Sequence, residues 1–410
     1  MLPWRPILVK FLPIHCAREA IAMAWSLLRR RLYVLVLLGA TLSLLLGNWL
    51  QVQASPAREG SSFASGQRTV KPVIPCFQIE QLPKDPLSPP RPPGAGPLSV
   101  AVNLHVDEIP QIASTEDNYT LAGFLDVSWC DPRLATQLDS QEEERVFAND
   151  GATELLKSVW NPQITFINEE GEAVGDDLTL TIERSGRVDL QRRMEVTLAS
   201  NFDVRRFPFD RQLLEGDIAS FSWDNKVVKL LDAKNNVTVS RTFDIPDWDV
   251  VGSSSKVIDY DDPDHGDDVF SLLKFKLEVA RKSSFYVNKI FIPLAVLSFT
   301  SIFFLAIPID CIGDRIQFVS SLLFTTLAYQ LIIASSVPRV PYFTLGDKYT
   351  LFLFFFMVAE VFIAYGISLA YRFSQIDNNK LVNRYELACE IGLPLIFLFA
   401  NGYFYSQALS

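Results

Sequence analysis

A line of polar side chains runs through one of the most apolar stretches of this sequence, residues 313–336. Steps of three and four residues keep side chains on one face of a helix. Starting at the acid, that face consists of Asp314, Gln317, Ser321, Phe324, Ala328, Leu331 and Ser335. A polar stripe inside a membrane must face water or protein. It therefore either lines water enclosed by several copies of the helix or bonds to neighbouring helices, and this stretch alone leaves both interpretations open.

Four apolar stretches fill the last third of the chain, at 285–309, 316–337, 348–371 and 386–408. Each has about the 20 residues that a membrane-spanning helix needs, so residues 285–410 are predicted to form an all-α, four-helix transmembrane domain. Arg372, Lys380 and Arg384 fall in the loop predicted on the inner side. Glu360 lies inside the third stretch, and an acid at membrane depth is a functional candidate by default.

Residues 98–284 alternate between apolar and polar in short runs such as 119–129 and 272–279, with turn-forming residues between the runs. About ten strands without a helical period predict an immunoglobulin-like β-sandwich. A barrel would satisfy the same spacing.

The first 97 residues read as targeting and connecting sequence. Three arginines precede an apolar run and a small-residue site ending at Ala54, which predicts a signal peptide at 1–54. A retained fifth spanning helix is the alternative. Residues 55–97 are rich in Pro, Gly and Ser and are predicted to be a linker. The chain that follows would begin in the periplasm or outside the cell, which makes this a multi-pass protein of the inner (plasma) membrane.

Composition excludes several classes of function. A formal charge of -10 argues against a nucleic-acid partner, because phosphate binding needs clustered Lys and Arg. The five cysteines show no metal-like spacing, and we expect them to be free, without a disulfide framework. With three histidines and no Gly-rich phosphate loop, we expect no enzyme, no cofactor and no metal site.

Five motifs in register resemble the pentameric ligand-gated ion channels, the Cys-loop receptor superfamily. They are NFDVRRFPFDRQ at 201–212, Trp129 with Asp131, Trp160 with Pro162, ARKSSFY at 280–286, and SVPRVPY at 336–342. Ser200 and Leu214 stand where eukaryotic members have the cysteines that close the loop, as in prokaryotic members. The resemblance implies a homopentamer in contact with membrane lipid, with the second helix of each subunit around a pore.

The resemblance gives the polar line a role. Five Asp314 side chains would form an acidic ring that favours permeant monovalent cations. The alternative is that Asp314 acts only as a cap at the N-terminus of its helix, whose positive end stabilises an acid. Gln317 would form a polar collar, and Phe324, Ala328 and Leu331 an apolar constriction that gates by dewetting.

A second group of residues is expected to couple the extracellular domain to the pore. The resemblance brings the signature loop (201–212), the loop between the first two strands (114–117) and Arg281 together. Asp210 and Arg281 are the expected charge pair, with Glu116 or Asp117 as a third member. The tip residues Phe207 and Pro208 are expected to press on the loop that holds Pro338 and Pro341.

The agonist is expected to be either a small amine or the proton. By resemblance, the aromatic box between subunits would consist of Phe221, Trp223, Tyr260, Phe270 and, from the neighbour, Phe124. Aromatics on alternating strands are also common in cores, so a packing role stays open. For protons, Glu360 is the sensing candidate. A different class of function, a membrane-anchored periplasmic ligand sensor without conduction, is the alternative to a channel.

Overall fold

The computed structural model describes residues 73–136, 138–139, 141–171, 173–232, 236–240, 245, 247–261, 268–309, 311–333, 340–373 and 379–409. The predicted signal peptide, Ser335 and Pro338 lie outside these residues. The described chain divides into two compact units. One, the β unit, comprises residues 73–204 and 210–282, and the other, the helical unit, comprises residues 205–209 and 283–409.

The described residues of the β unit form eleven strands where the sequence predicted about ten. They are β1 (Leu98–Ala113), β2 (Asn118–Cys130), β3 (Glu144–Ala148), β4 (Ile164–Phe166), β5 (Val174–Glu183), β6 (Arg187–Ala199), β7 (Arg211–Ser220), β8 (Val228–Leu230), β9 (Val237–Val239), β10 (Trp248–Asp261) and β11 (Val269–Arg281). The run Gly252–Lys256 in β10 is a poor strand former by composition. It is a strand because it pairs antiparallel with β11 along the length of both.

The strands form two sheets that enclose one core. The larger sheet has the order β3-β5-β6-β2-β1-β8, with β9 paired to β1, and the smaller has the order β10-β11-β7-β4. Alternate residues of β1, such as Val102 and Leu104, are buried, and so are alternate residues of β11, such as Phe275 and Leu277. Because these residues belong to one apolar cluster, the two sheets are the layers of a sandwich.

Two short helices replace predicted turns in the β unit: α1 (Pro132–Ala135) and α2 (Asp150–Ser158). The expectation of a domain without helices was wrong at both places. At α1, the side chain of Asp131 accepts a hydrogen bond from the backbone N–H of Arg133 at 3.1 Å and so caps the helix. Proline at the first helical position has the backbone angle that a helix needs, so the same residues that indicate a turn also start a helix.

The segment before β1 packs on the β unit, which corrects two predictions. A disulfide joins Cys76 to Cys130 at the end of β2, so the expectation of free cysteines was wrong for this pair. Arg133 donates hydrogen bonds to the carbonyl oxygens of Pro83, Asp85 and Ser88 at 2.8–3.1 Å. Residues 73–97 are therefore held in place by the β unit and do not behave as the linker predicted for them.

The helical unit contains four long helices among its described residues. They are α3 (Ser284–Ala306), which includes a π-helical segment at Val287–Phe291 and ends in a 3-10 turn, α4 (Ile312–Ile333), α5 (Leu345–Phe373) and α6 (Asn379–Leu409). By length and composition, three spans are apolar enough to cross a membrane: Ser284–Ala306, Leu345–Arg372 and Arg384–Leu409. Helix α4, whose first turn carries Asp314 and Arg315, is not among the spans found in the described part of the chain.

Aromatic side chains fill the core of the helical unit. Tyr349 of α5 packs edge-on against Phe291 of α3 and Phe404 of α6, with ring centroids 5.4 and 5.1 Å apart. Its hydroxyl donates to the side-chain oxygen of Asn401 at 2.8 Å, which satisfies both buried polar groups. These contacts fix α3, α5 and α6 to one another.

Candidate pore helix and coupling site

One face of α4 is left uncovered by the other helices of the subunit. Gln317, Ser321 and Ala328 are exposed, Phe324 is 69% exposed and Leu331 is 78% exposed. Of the predicted line, Asp314 is half-buried. Lipid can cover exposed Phe and Leu, but an exposed amide and hydroxyl at membrane depth need water or another protein surface. In a membrane-spanning α4, as the sequence predicts, this face would require either water or a second subunit.

The opposite face of α4 packs inside the subunit. Arg315, Val319 and Thr326 are 1%, 0% and 0% exposed. Thr326 donates to the carbonyl oxygen of Leu322 at 3.1 Å and lies 3.4 Å from the sulfur of Met357 on α5. The helix thus has a fixed rotation within the subunit, and that rotation presents the polar line outward.

The predicted charge pair of the signature loop is present in the β unit. Arg281 at the end of β11 donates from Nε to Asp210 Oδ1 at 2.8 Å and from Nη2 to Oδ2 at 3.1 Å. Their side chains are only 7% and 1% exposed. The guanidinium also lies 4.1 Å from the ring centroid of Trp248, a cation–π contact. A bidentate buried pair of this kind has one geometry and few alternatives.

Further hydrogen bonds join this pair to its surroundings. Gln212 donates to Asp210 Oδ2 at 2.7 Å and to the carbonyl oxygen of Asp203 at 2.9 Å. From the 114–117 loop, Ser114 accepts from Arg281 Nη2 at 3.3 Å. The ion pair therefore connects β11, the signature loop and the 114–117 loop.

The acids expected as a third member lie nearby but do not pair with Arg281 in the structure. Glu116 is exposed, and Asp117 accepts from the backbone N–H of Phe202 at 3.3 Å. Asp117 also has a positive φ of 54° at the turn between β1 and β2. The hydroxyl of Ser114 takes the place that sequence reasoning gave to an acid.

The tip of the signature loop packs within the helical unit. Phe207 is 1% exposed and meets the ring of Tyr286 at 4.7 Å, and Pro208 is also buried. The carbonyl oxygens of Arg205 and Phe207 accept from the backbone N–H groups of Leu345 and Gly346 at 2.8 and 3.0 Å.

These two N–H groups are at the start of α5, where a helix has no internal partners for them. Thr344 and Asp347 complete this start as a capping box, with three hydrogen bonds of 2.8–3.1 Å. Gly346 leaves little room, since a Cβ there would lie 3.1 Å from Phe291 and 3.4 Å from the Phe207 oxygen. The tip is therefore seated on α5. The predicted contact of Phe207 and Pro208 with the loop that holds Pro338 and Pro341 stays a prediction, because residues 334–339 lie outside the described residues; Arg205 of the tip lies 5.1 Å from the ring centroid of Tyr342, which follows that loop. Pro341 itself is exposed.

The predicted aromatic box is only partly assembled within one subunit. Phe221 is 71% exposed at the end of β7. Tyr260 and Phe270 are direct cross-strand partners on β10 and β11, but Phe270 is only 7% exposed. Residues 262–267 between those strands lie outside the described residues.

Trp223 faces a cavity inside the β unit. Its indole N–H donates to the carbonyl oxygen of Asn161 at 3.2 Å, and its ring lies 5.9 Å from that of Trp160. The cavity of about 420 Å³ is also lined by α2, Leu87 and Leu178. This orientation separates Trp223 from the exposed ring of Phe221, with which it was grouped.

Phe124 on β2 is half-buried, and an arginine of the same subunit already lies over its ring. Its cross-strand neighbour Arg193 holds its guanidinium carbon 5.8 Å from the ring centroid. The face that could attract an amine is thus shared with an arginine of the same subunit.

Glu360 is fully buried in α5. Ser301 of α3 lies close to it, yet neither carboxyl oxygen makes a well-formed hydrogen bond to any described residue. A buried ionised carboxylate without partners costs several kcal/mol.

Sequence reasoning did not identify Ser114, Trp248, Gln212 and Glu386 as partners in these sites. Gln212 ends the quoted stretch NFDVRRFPFDRQ, so a signal existed for it. Trp248 and Glu386 meet their arginines across long sequence separations, and no local pattern marks them.

Comparison with known proteins agrees with this geometry. Residues 82–283 match the family described as the neurotransmitter-gated ion-channel ligand binding domain. A proton-gated ion channel of Gloeobacter violaceus is 26% identical over 78% of this chain and 85% of its own length. A pH-sensitive chloride channel 2 of Drosophila melanogaster and a ligand-gated ion channel 50 of Caenorhabditis elegans are each 24% identical over 65% of this chain. The chain spans only about half the length of these two animal relatives.

The β unit is thus a ligand-binding sandwich of the neurotransmitter-gated channel type, followed by apolar helices. The chain belongs to the pentameric ligand-gated ion channels, a family of ligand- or proton-gated channels and not of enzymes. It is a membrane protein with an extracellular ligand-binding domain.

Proposed function

We propose that this chain is the subunit of a homopentameric, proton-gated cation channel of the plasma membrane, with α4 around the pore. The observation that carries the proposal is the uncovered face of α4, on which Gln317 and Ser321 are exposed. Five such faces around one axis would enclose water, which an anchor helix has no reason to do. Ser335, the last residue of the line, belongs to the proposal by sequence alone.

Asp314 supports a preference for cations. It lies in the first turn of α4, three residues before Gln317 on the same helical face, and is half-buried. An acidic ring at a pore mouth favours cations. A relative named as a chloride channel leaves the sign of the permeant ion to experiment.

Protons are favoured over an amine as the trigger. The relative matched over most of its length is named a proton-gated channel. In addition, Arg193 competes for the ring face of Phe124, Phe270 is buried, and Trp223 lines a pocket with Trp160 and Leu87 that does not include Phe221, which leaves a weak box for an amine. Glu360, buried without a well-formed hydrogen bond, is the proposed proton-responsive group of the helical unit.

Coupling is proposed to run along the signature loop. Asp210 directly follows the tip residues 205–209, which are seated on the start of α5. A change in the ion pair with Arg281 would therefore act next to Phe209 and within three residues of Phe207 and Pro208. The exposed Glu116 and Asp117 would take part only through the 114–117 loop.

The test is a current recording from purified protein in liposomes, with external pH stepped from neutral to acidic under a sodium chloride gradient. We expect a current that reverses near the sodium potential. Asp314→Asn should move the reversal potential toward the chloride potential, whereas Glu116→Gln, an exposed acid of the β unit, should not. A current carried by chloride in the unmodified protein would refute the cation assignment, and silence at every pH would refute proton gating.

A further inference from the structure

Arg315, the second charged residue in the first turn of α4, is not explained by its position in the helix. Asp314 suits this position, because the positive end of a helix stabilises an acid. Arg315 is next to it, and the same helix end disfavours a cation. If both side chains reached the pore mouth, each subunit would contribute no net charge there. Something must keep the two charges apart.

The fold separates them by burying Arg315. The residue is 1% exposed, and its Nε donates to the carbonyl oxygen of Ile307 at 2.7 Å. Its Nη2 donates to Glu386 Oε1 of α6 at 2.5 Å. Successive side chains on a helix diverge by about 100°, so Asp314 is free to point elsewhere.

Glu386 is the only acid that pairs with Arg315 among the described residues. Its side chain is 15% exposed and it lies near the start of an otherwise apolar span, Arg384–Leu409. The remaining guanidinium nitrogen, Nη1, has no hydrogen-bond partner in the described part of the chain. The neutralisation of this cation therefore depends on one carboxylate from the last helix.

We propose that Glu386 is a positioning residue for charge selectivity: it holds and neutralises Arg315 inside the subunit, so that Asp314 alone sets the charge at that end of the pore. The proposal rests on the proposed role of α4 as the pore-lining helix. Without Glu386, a buried arginine would lack its counter-charge, which is strongly unfavourable. An arginine side chain is long enough to move its head group to nearby water, and beside Asp314 that water is the pore mouth.

The experiment measures the sodium-to-chloride permeability ratio from reversal potentials of pentamers in liposomes under a sodium chloride gradient. Glu386→Gln should lower the ratio by at least roughly fivefold, the factor that one unit charge across about 4 Å of water gives for a single permeant ion, since the same charge disfavours sodium and favours chloride. Glu386→Asp, which keeps the charge, should stay close to the unmodified protein. The control is Arg384→Gln, an exposed charge on the same helix, which should change the ratio little and in the opposite direction.

The double variant Arg315→Gln/Glu386→Gln decides whether the effect passes through Arg315. It leaves no unpaired buried charge, so it should assemble even if Glu386→Gln does not, and its ratio should return to that of the unmodified protein. A double variant with the lowered ratio would overturn the proposal, because Glu386 would then act by its own field. An assembled Glu386→Gln channel with an unchanged ratio would overturn it as well.

The same recordings separate this proposal from the one on which it rests. If Asp314→Asn leaves the ratio unchanged, the acidic ring is wrong. The comparison of Glu386→Gln with the double variant would still report whether Arg315 is held away from the permeation path.

Discussion

Replacing Asp210 with Ala removes the anion from a nearly dry site and leaves Arg281 in it. Asp210 accepts three hydrogen bonds, two from Arg281 and one from Gln212. Removing one partner of a buried pair typically costs about 3 to 5 kcal/mol. In this variant Arg281 keeps its cation–π contact with Trp248 and its hydrogen bond to Ser114. Gln212 keeps its hydrogen bond to the carbonyl oxygen of Asp203. We therefore expect the lower end of that range, about 3 kcal/mol, for the free energy of unfolding of the β unit.

Thermal unfolding of the solubilised protein, followed by tryptophan fluorescence, measures this loss. For a domain of this size, about 3 kcal/mol corresponds to a decrease in Tm of roughly 6 to 12 °C. The matched control is Arg211→Gln at the next residue, which breaks a pair with Glu278 whose side chains are 64% and 40% exposed. An exposed pair is worth about 1 kcal/mol or less. If Asp210→Ala lowers Tm no more than Arg211→Gln, the argument from burial is refuted.

Three further changes test other parts of the structure. Burial is the main cause that raises the pKa of Asp126, with a partly compensating hydrogen bond from Gln191 at 2.9 Å. The folded state then holds this proton more tightly than the unfolded state, so the contribution to stability is present at low pH and is lost as pH rises through the raised pKa. Asp126→Asn should therefore raise Tm at neutral pH and leave it unchanged below the model-compound value of 3.8; equal shifts at both pH values would contradict this. The disulfide between Cys76 and Cys130 closes a loop of 54 residues, which corresponds to about 4 kcal/mol by chain entropy. The variant Cys76→Ser/Cys130→Ser should lower Tm relative to the oxidised protein, and a Tm equal to that of the oxidised protein would show that the bond adds no stability. Phe324→Ala should widen the proposed constriction and raise the current at neutral pH, whereas Phe355→Ala, an exposed phenylalanine of α5 (61%), should not; equal effects would count against Phe324 as part of a gate.

The polar line shows what a local pattern can predict. Its period of three and four residues specified both the helix and the face, since helix geometry alone decides which side chains align. That the face is uncovered by the same subunit depended on Arg315, Val319 and Thr326 packing inward. No periodicity in α4 by itself gives that rotation, because it depends on the surfaces of the neighbouring helices.

The aromatic candidates show the limit of such patterns. Phe221 and Trp223 are two residues apart on one short segment, which on an extended strand would place them on one face. The chain bends after β7 at Ser220, and the indole of Trp223 reaches Asn161 while Phe221 remains exposed. Side-chain direction in a loop depends on which distant groups accept its hydrogen bonds, and the sequence does not specify them.

The sequence by itself determined the division into a β-rich part and a helical part, the polar face of α4, and the motif residues Asp210 and Arg281, because hydrophobic period and motif spacing are local properties of the chain. Only the tertiary structure decided the partners: Ser114 and Trp248 for Arg281, Cys130 for Cys76, and Glu386 for Arg315. The physical reason is that a buried charge or thiol must find its partner across the packed core. Which residue arrives there depends on how sheets and helices pack, and that is not encoded within any single segment.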